Sequence, residues 1–235
     1  MHKTDTIVIL TGAGISAESG LGTFRDEGGL WAQHRIEDVA TPEAFARNPV
    51  LVHQFYNARR AQAIAAEPNA AHLALARLQA DWPGKVMLVT QNVDGLHEKA
   101  GAHAMHMHGI LSGALCAACA HRWDAPDVMS VETPCPACGD LSARPDIVWF
   151  GEMPYYMDRI MDHLAGADIF AAIGTSGQVY PAAGFVQEAN AVNAHTVEMN
   201  LDRSDIALAF DETRLGPATR IVVDWVTEQL EVTRP

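Results

Sequence analysis

The chain has 235 residues, with 16 Lys and Arg against 29 Asp and Glu, for a formal charge of −13 with histidine neutral. That balance excludes a general nucleic-acid binder, whose affinity rests on neutralising phosphates. With 49% hydrophobic and 19% charged residues, the composition is that of a globular chain, and the length suits one large domain with a small inserted module.

The first apolar run, Ile7 to Leu10, stops at Thr11-Gly12 and is too short for the core of a secretory signal. No later stretch approaches the roughly 18 apolar residues of a membrane span, so a cytoplasmic protein with no membrane partner is expected. Ile7 to Leu10 reads instead as a buried parallel strand entering a glycine turn, and Val86 to Thr90, Ile169 to Ile173 and Thr196 to Met199 have the same character. Between the strands lie helix signals. Thr41-Pro42 and Asn48-Pro49 are cap and first-turn pairs, the second opening a helix to about Ala66. Further helical patterns cover about Ala70 to Ala80, Tyr155 to Leu164, Ala182 to Val192 and Pro217 to Leu230. This alternation predicts an α/β fold with a mostly parallel sheet and a ligand crevice beyond the carboxyl ends of its strands. Two stretches break the rhythm, a run of consecutive helices over about 34–80 and a cysteine-rich segment over about 111–144. They are expected to form a smaller lobe inserted in a single catalytic domain.

The strand ends carry the chemistry. Gly12-Ala13-Gly14-Ile15-Ser16-Ala17 fits G-x-G-x-x-A after a strand, where glycines allow close backbone approach to a pyrophosphate and free amides can donate to it. The same spacing also serves a plain tight turn, but Ser19, Gly20, Gly22, Thr23, Phe24, Arg25 and Asp26 follow it, more small and polar residues than a connection needs. Gln91-Asn92-Val93-Asp94, Gly174-Thr175-Ser176 and Asn200-Leu201-Asp202 follow the other three strands. Four such ends converge on one crevice.

Cys116, Cys119, Cys135 and Cys138 are the only cysteines, spaced C-x2-C-x15-C-x2-C. Two such knuckles match tetrahedral zinc in a ribbon, and four thiolate ligands leave no open position, so the metal is structural. His108 lies between the Gln91 strand end and the first knuckle, with a titration range that suits a general base as well as a hinge. Tyr56 and Arg59 share a helix face, where an arginine fork beside a phenol would suit an acidic ligand, while Arg59-Arg60 also fits a solvated surface.

Together these residues resemble the sirtuins, NAD-dependent protein-lysine deacylases. The resemblance rests on Gly12 to Ser16, Gly22-Thr23-Phe24-Arg25, Gln91-Asn92-Val93-Asp94, His108-Gly109, the four cysteines, Val148-Trp149-Phe150-Gly151-Glu152, and Gly174-Thr175-Ser176 with Tyr180-Pro181-Ala182-Ala183, in family order over nearly the whole chain. It implies a Rossmann-like large domain, a small lobe with one zinc ion and a helical module, and a cleft for NAD and an acylated-lysine peptide. His108 would be the general base. Gly12, Ala13, Gly14, Ser16, Ala17, Glu18, Thr23, Phe24, Arg25 and Trp31 would hold the diphosphate and nicotinamide ribose, and Gln91, Asn92, Val93 and Asp94 would line the nicotinamide side. Gly174, Thr175, Ser176, Asn200, Leu201, Asp202 and Ala218 would border the adenosine half, and Val148 to Glu152 would pair with the substrate backbone. The implied reaction moves the acyl group to ADP-ribose and releases nicotinamide and free lysine.

Ala40-Thr41-Pro42, Phe55-Tyr56 and Arg59-Arg60 resemble the class III members, in which the residues matched by Tyr56 and Arg59 bind the carboxylate of succinyl- or malonyl-lysine and the one matched by Ala40 leaves room for it. Asp146 stands where relatives often carry His, and Gly177-Gln178 follows Ser176 as in bacterial members. A hydride-transferring oxidoreductase on the same glycine loop and a non-catalytic zinc-ribbon adaptor are the rivals outside the family. Mono-ADP-ribosyl transfer is the rival within the same bond-breaking chemistry.

Overall fold

The computed structural model describes residues 5–22 and 34–232. In chain order its elements are β1 (Thr6–Thr11), α1 (Ile36–Val39), α2 (Pro42–Arg47), α3 (Pro49–Ala65), α4 (Ala70–Asp81), β2 (Lys85–Thr90), α5 (Leu96–Lys99), β3 (Ala104–His106), β4 (Gly109–Cys116), β5 (Arg122–Asp124), β6 (Ala143–Ile147), α6 (Met157–Ala165), β7 (Ile169–Ile173), α7 (Phe185–Ala191), β8 (His195–Asn200), β9 (Glu212–Leu215) and α8 (Ala218–Val232).

The caps read from the sequence do their work. Thr41 Oγ1 accepts from Ala44 N at 3.0 Å, and Asn48 Oδ1 accepts from Leu51 N at 3.1 Å, each followed by proline at the first helical position. Six strands form one sheet in the order β3-β2-β1-β7-β8-β9, parallel at every pairing. This is the doubly wound Rossmann-like order, and its switch point lies between β1 and β7, where a crevice opens at the carboxyl ends. Both faces are covered. Ile7 and Ile9 with Ile169 and Ala171 pack on α4 and α8 through Leu75, Leu78 and Trp225. Val8, Leu10 and Phe170 pack on α6 and α7 through Ile160, Phe185 and Val186.

α4 was expected in the small lobe, within 34–80, but its Ala71, Leu75 and Leu78 belong to the core of the large sheet. Its apolar stripe is matched by the facing stripe of α8. The helical module therefore comprises α1, α2 and α3. A second, antiparallel sheet in the order β5-β4-β6 carries the cysteine segment. The two parts of the small lobe share a core of Val39, Ala44, Val52, Phe55, Tyr56, Leu111, Ile147 and Trp149. Arg60 ties them further: its buried guanidinium donates to the carbonyls of Leu111 at 2.7 Å and Asp127 at 3.3 Å, so it is not a solvated surface residue.

Candidate active site

The glycines of the first loop serve a tighter purpose than ligand approach. Gly12 N donates to Ile173 O at 2.9 Å and Gly14 N to Gly174 O at 2.8 Å, drawing the β1 and β7 loops together at the switch point. A Cβ on Gly12 would lie 2.7 Å from Gly174 O, and one on Gly14 2.7 Å from Gly174 Cα. Ala13, whose amide takes no part in these bonds, is left at the rim. Glu18 is exposed but tied to α8, accepting from Thr219 N at 3.0 Å and Thr219 Oγ1 at 2.7 Å, which caps the helix and fixes Ala218 beside the loop. Thr23, Phe24, Arg25 and Trp31 lie outside the described residues.

The loop after β2 is held from below by a buried polar network. Asn92 Nδ2 donates to Gly12 O and to Ser16 Oγ, both at 3.1 Å, and Ser16 Oγ donates to Asp94 Oδ2 at 3.1 Å. His72 completes this floor. Its Nδ1 accepts from Asn69 N at 3.3 Å, so the neutral ring carries its proton on Nε2, which faces Ser16 Oγ at 3.4 Å. Thr11, Thr90 and His97 form a second tier, with Thr11 Oγ1 at 2.8 Å from Thr90 Oγ1 and 3.0 Å from His97 Nε2. Gln91 Nε2 donates to Thr175 Oγ1 at 3.0 Å, and Asn200 Nδ2 donates to Thr175 O at 3.0 Å, so the ends of β2, β7 and β8 meet as the sequence implied. Leu201 and Asp202 are exposed beyond them, and Ser176 lies part-exposed beside Thr175.

His108 sits just past β3. Its Nδ1 lies 3.1 Å from Gln91 O, an acceptor, so the ring donates there and Nε2 keeps its lone pair. Burial lowers the His108 pKa, opposed by the Gln91 hydrogen bond, and the neutral base is the form favoured at neutral pH. Gly109 follows with φ at 81°, and a Cβ there would run into the Asp146 carbonyl oxygen. The close crossing of β4 on β6 is what carries His108 into the cleft.

The candidate substrate residues converge on one wall. Val93 packs in the same cluster as Ala40, Tyr56 and Trp149, and Leu111 N donates to Val93 O at 2.8 Å. Tyr56 is buried, and its hydroxyl accepts from Trp149 Nε1 at 3.0 Å. Arg59 lies over the Phe55 and Tyr56 rings at 5.7 and 5.8 Å. Burial lowers its pKa, with Tyr56 and the carboxylate of Asp94 acting the other way. A guanidinium in such a place gains most from an added anion.

Val148 to Glu152 was expected to offer a strand to the substrate, but β6 ends at Ile147 and Phe150 to Glu152 form a turn, closed by Glu152 N donating to Trp149 O at 2.9 Å with Gly151 at φ 92°. Val148 N donates to His108 O at 2.9 Å and Phe150 N to Ala40 O at 3.0 Å, so those two amides already join the lobes. Glu152 accepts from Arg144 at 2.7 and 2.8 Å and from Trp149 N at 2.8 Å. Burial raises its pKa, but the Arg144 guanidinium and the Trp149 amide prevail and hold it below the usual carboxylate range. Glu152 thus shapes the Gly151 turn from within. Phe150 and Gly151 remain exposed at the rim.

The four thiols cluster with Sγ atoms within 4.8 Å of one another, and the Cys116–Cys138 and Cys119–Cys135 pairs lie at 3.7 Å. A tetrahedron with zinc–sulfur bonds of about 2.3 Å has sulfur–sulfur edges of about 3.8 Å, so the donor set fits one zinc ion. The same spacing is far beyond a disulfide bond.

Residues 12–181 match the Sir2 family. The chain belongs to that family. It is 54% identical over 229 residues to an NAD-dependent protein deacylase of Caulobacter vibrioides, covering 95% of this chain and 96% of that one. A Bdellovibrio bacteriovorus protein of the same description is 55% identical, covering 96% and 97%. Among solved structures, a Sir2 homologue in complex with NAD superposes with a TM-score of 0.90 at 36% identity, covering 97% of this chain and 91% of that one. Membership accounts for the Rossmann-like sheet beside a four-cysteine lobe, and the site residues suit NAD as co-substrate.

Sequence reasoning passed over Asn69, His72, His97, Glu98 and His106. Each is an ordinary polar residue in a helix or short strand or, for Asn69, at a helix cap, and only the alternation His106-Met107-His108 signalled two histidines on one side of the chain.

Proposed function

We propose that this protein is an NAD-dependent protein-lysine deacylase that removes acetyl groups and also succinyl or malonyl groups. The observation that carries the reading is that His108, its Nδ1 held by Gln91 O so that Nε2 is the basic nitrogen, comes with an apolar cluster of Val93, Trp149 and Tyr56 that the Arg59 guanidinium borders. A base, an apolar wall and a cationic group are what an acyl chain with a terminal carboxylate needs.

When bound, NAD supplies the ribose carbon whose bond to nicotinamide is broken. The chain's residues do the rest. Asn92, Ser16 and Asp94 hold a rigid polar floor under the cofactor loop, which lowers the cost of orienting the reacting groups. His108 Nε2 accepts a proton from a ribose hydroxyl, and the Gln91 carbonyl steadies the ring as its charge develops. Val93, Trp149 and the Tyr56 ring exclude water from the acyl chain, while the Tyr56 hydroxyl and Arg59 meet a terminal carboxylate. The rim at Phe150 and Gly151 receives the peptide backbone.

The test is mass spectrometry of paired acetyl-lysine and succinyl-lysine peptides incubated with the protein, with and without NAD. Acyl loss only with NAD, together with O-acyl-ADP-ribose and nicotinamide, is expected, and a His108→Ala variant should abolish both. NAD consumption with ADP-ribose attached to the peptide, and no acyl loss, would replace this reading with ADP-ribosyl transfer.

A further inference from the structure

Two histidines clamp two consecutive carbonyls of the cofactor loop. His108 Nδ1 faces Gln91 O at 3.1 Å, and His106 Nδ1, two residues earlier at the end of β3, faces Asn92 O at 3.0 Å. They differ at the other nitrogen. In His108 it is kept for chemistry, whereas His106 Nε2 lies 3.1 Å from Glu98 Oε1 on α5, and the His106 side chain is only 11% exposed. A carbonyl oxygen and a carboxylate oxygen can only accept, so a ring bonded to both must carry a proton on each nitrogen.

We infer that His106 is a positioning residue that acts as an imidazolium: paired to Glu98, it holds the Asn92 carbonyl, and through it the cofactor loop, in register with His108. The inference rests on the deacylase reading for its effect on turnover, but not for its account of the charge. A neutral His106 keeps one of the two bonds and gives up the other. Losing the Asn92 bond loosens the peptide that carries the Asn92 side chain onto Gly12 and Ser16.

The surroundings agree. Burial lowers the His106 pKa, but the Glu98 hydrogen bond and charge, the Asn92 carbonyl and the Asp94 charge outweigh it, and the net direction is upward. On Glu98, burial raises the pKa and the bond to His106 leads the opposing effects, so the net direction is downward. On α5, the His106 charge in turn disfavours protonation of His97, which stays neutral. Arg122, Asp146, Tyr155 and Arg159 face it across a cavity of about 560 Å3 that His106 also lines. The two histidines thus bound a working range. Activity needs His108 neutral on the acid side and His106 protonated on the alkaline side.

The direct measurement is a 15N NMR titration of the histidine rings in the whole protein. Both nitrogens of His106 should show imidazolium shifts at pH 7, and a neutral ring there would overturn the inference whether or not the protein turns over. The kinetic test is kcat/KM for NAD against pH in Glu98→Gln, which keeps an acceptor oxygen and removes the charge. Its alkaline limb should move about one pH unit toward acid, with the acid limb unmoved, because an opposite charge at this range shifts a pKa by one unit or more. Coincident alkaline limbs in the variant and the parent would refute the role. In His106→Asn the amide nitrogen, standing where Nδ1 was, can still donate to Asn92 O, and a lowered kcat/KM without that limb is expected. A uniform loss that retains the limb would assign it to another group.

Discussion

His97 lies directly under the cofactor loop, and its burial makes acid a specific weakness of this fold. The ring is 1% exposed, its Nε2 bonds to Thr11 Oγ1 at 3.0 Å, and its Nδ1 meets no hydrogen-bond partner among the described residues. Burial, and then the His72 ring 5.0 Å away, drive its pKa from 6.5 down to about 3. Between those values the unfolded chain binds a proton at this site that the folded chain refuses. The stabilisation is therefore complete above pH 6.5 and shrinks as the pH falls toward 3. At 1.36 kcal/mol per pH unit, the loss reaches about 2 kcal/mol by pH 5. His97→Gln places an amide nitrogen where Nε2 was, so it can still donate to Thr11, but it does not titrate. Urea unfolding of parent and variant at pH 7.5 and pH 5 should show the variant losing about 2 kcal/mol less between the two conditions. Equal pH dependences, or a His97 C2 proton resonance titrating near pH 6 in the native protein, would refute the reasoning.

Three other outcomes are expected. Arg59→Met should cut kcat/KM for succinyl-lysine peptides by about thirtyfold or more, since stranding a buried carboxylate costs roughly 2 kcal/mol upward, and should leave acetyl-lysine turnover within a few-fold; equal losses on both substrates would remove the carboxylate role. Gly109→Ala should lower the melting temperature and stability by about 2 kcal/mol or more, because the β4–β6 crossing has no room for a Cβ at that φ; an unchanged melting curve would contradict the packing. Stripping zinc with a chelator should raise amide hydrogen exchange over β4, β5 and the start of β6 well before it does so in β1 and β7; simultaneous loss of protection would mean the lobes do not unfold separately.

The four central strands were legible because each is a short β-branched or small apolar run buried on both faces. Edge strands β3 and β9 were not, since three or four residues such as Ala104–His106 carry no usable period. The cysteine spacing read well, and the strand ends named in the sequence do meet through Gln91, Thr175 and Asn200. What stayed hidden was tertiary. Nothing local separates α4, whose stripe meets α8, from α3, whose stripe meets Trp149, and nothing local distinguishes Glu152, spent on Arg144, from a residue waiting for substrate. The G-x-G spacing marked the turn after β1, but what requires these glycines in the fold is crowding by Gly174 and its neighbour Thr175, a tertiary cause the spacing does not carry.

α3 has two working sides one residue apart. Asn57 and Arg60 bolt it to the cysteine segment, with Asn57 Nδ2 donating to Met129 O at 2.8 Å and Asn57 Oδ1 accepting from Met129 N at 2.9 Å, while Tyr56 takes the Trp149 hydrogen bond and Arg59 lies over its ring. The side that meets the cysteine segment and the side that carries Tyr56 and Arg59 thus belong to one stiff helix. On the proposed reading of that pair as a carboxylate clamp, a shift of the cysteine segment would reach the clamp through α3 without any contact between the two.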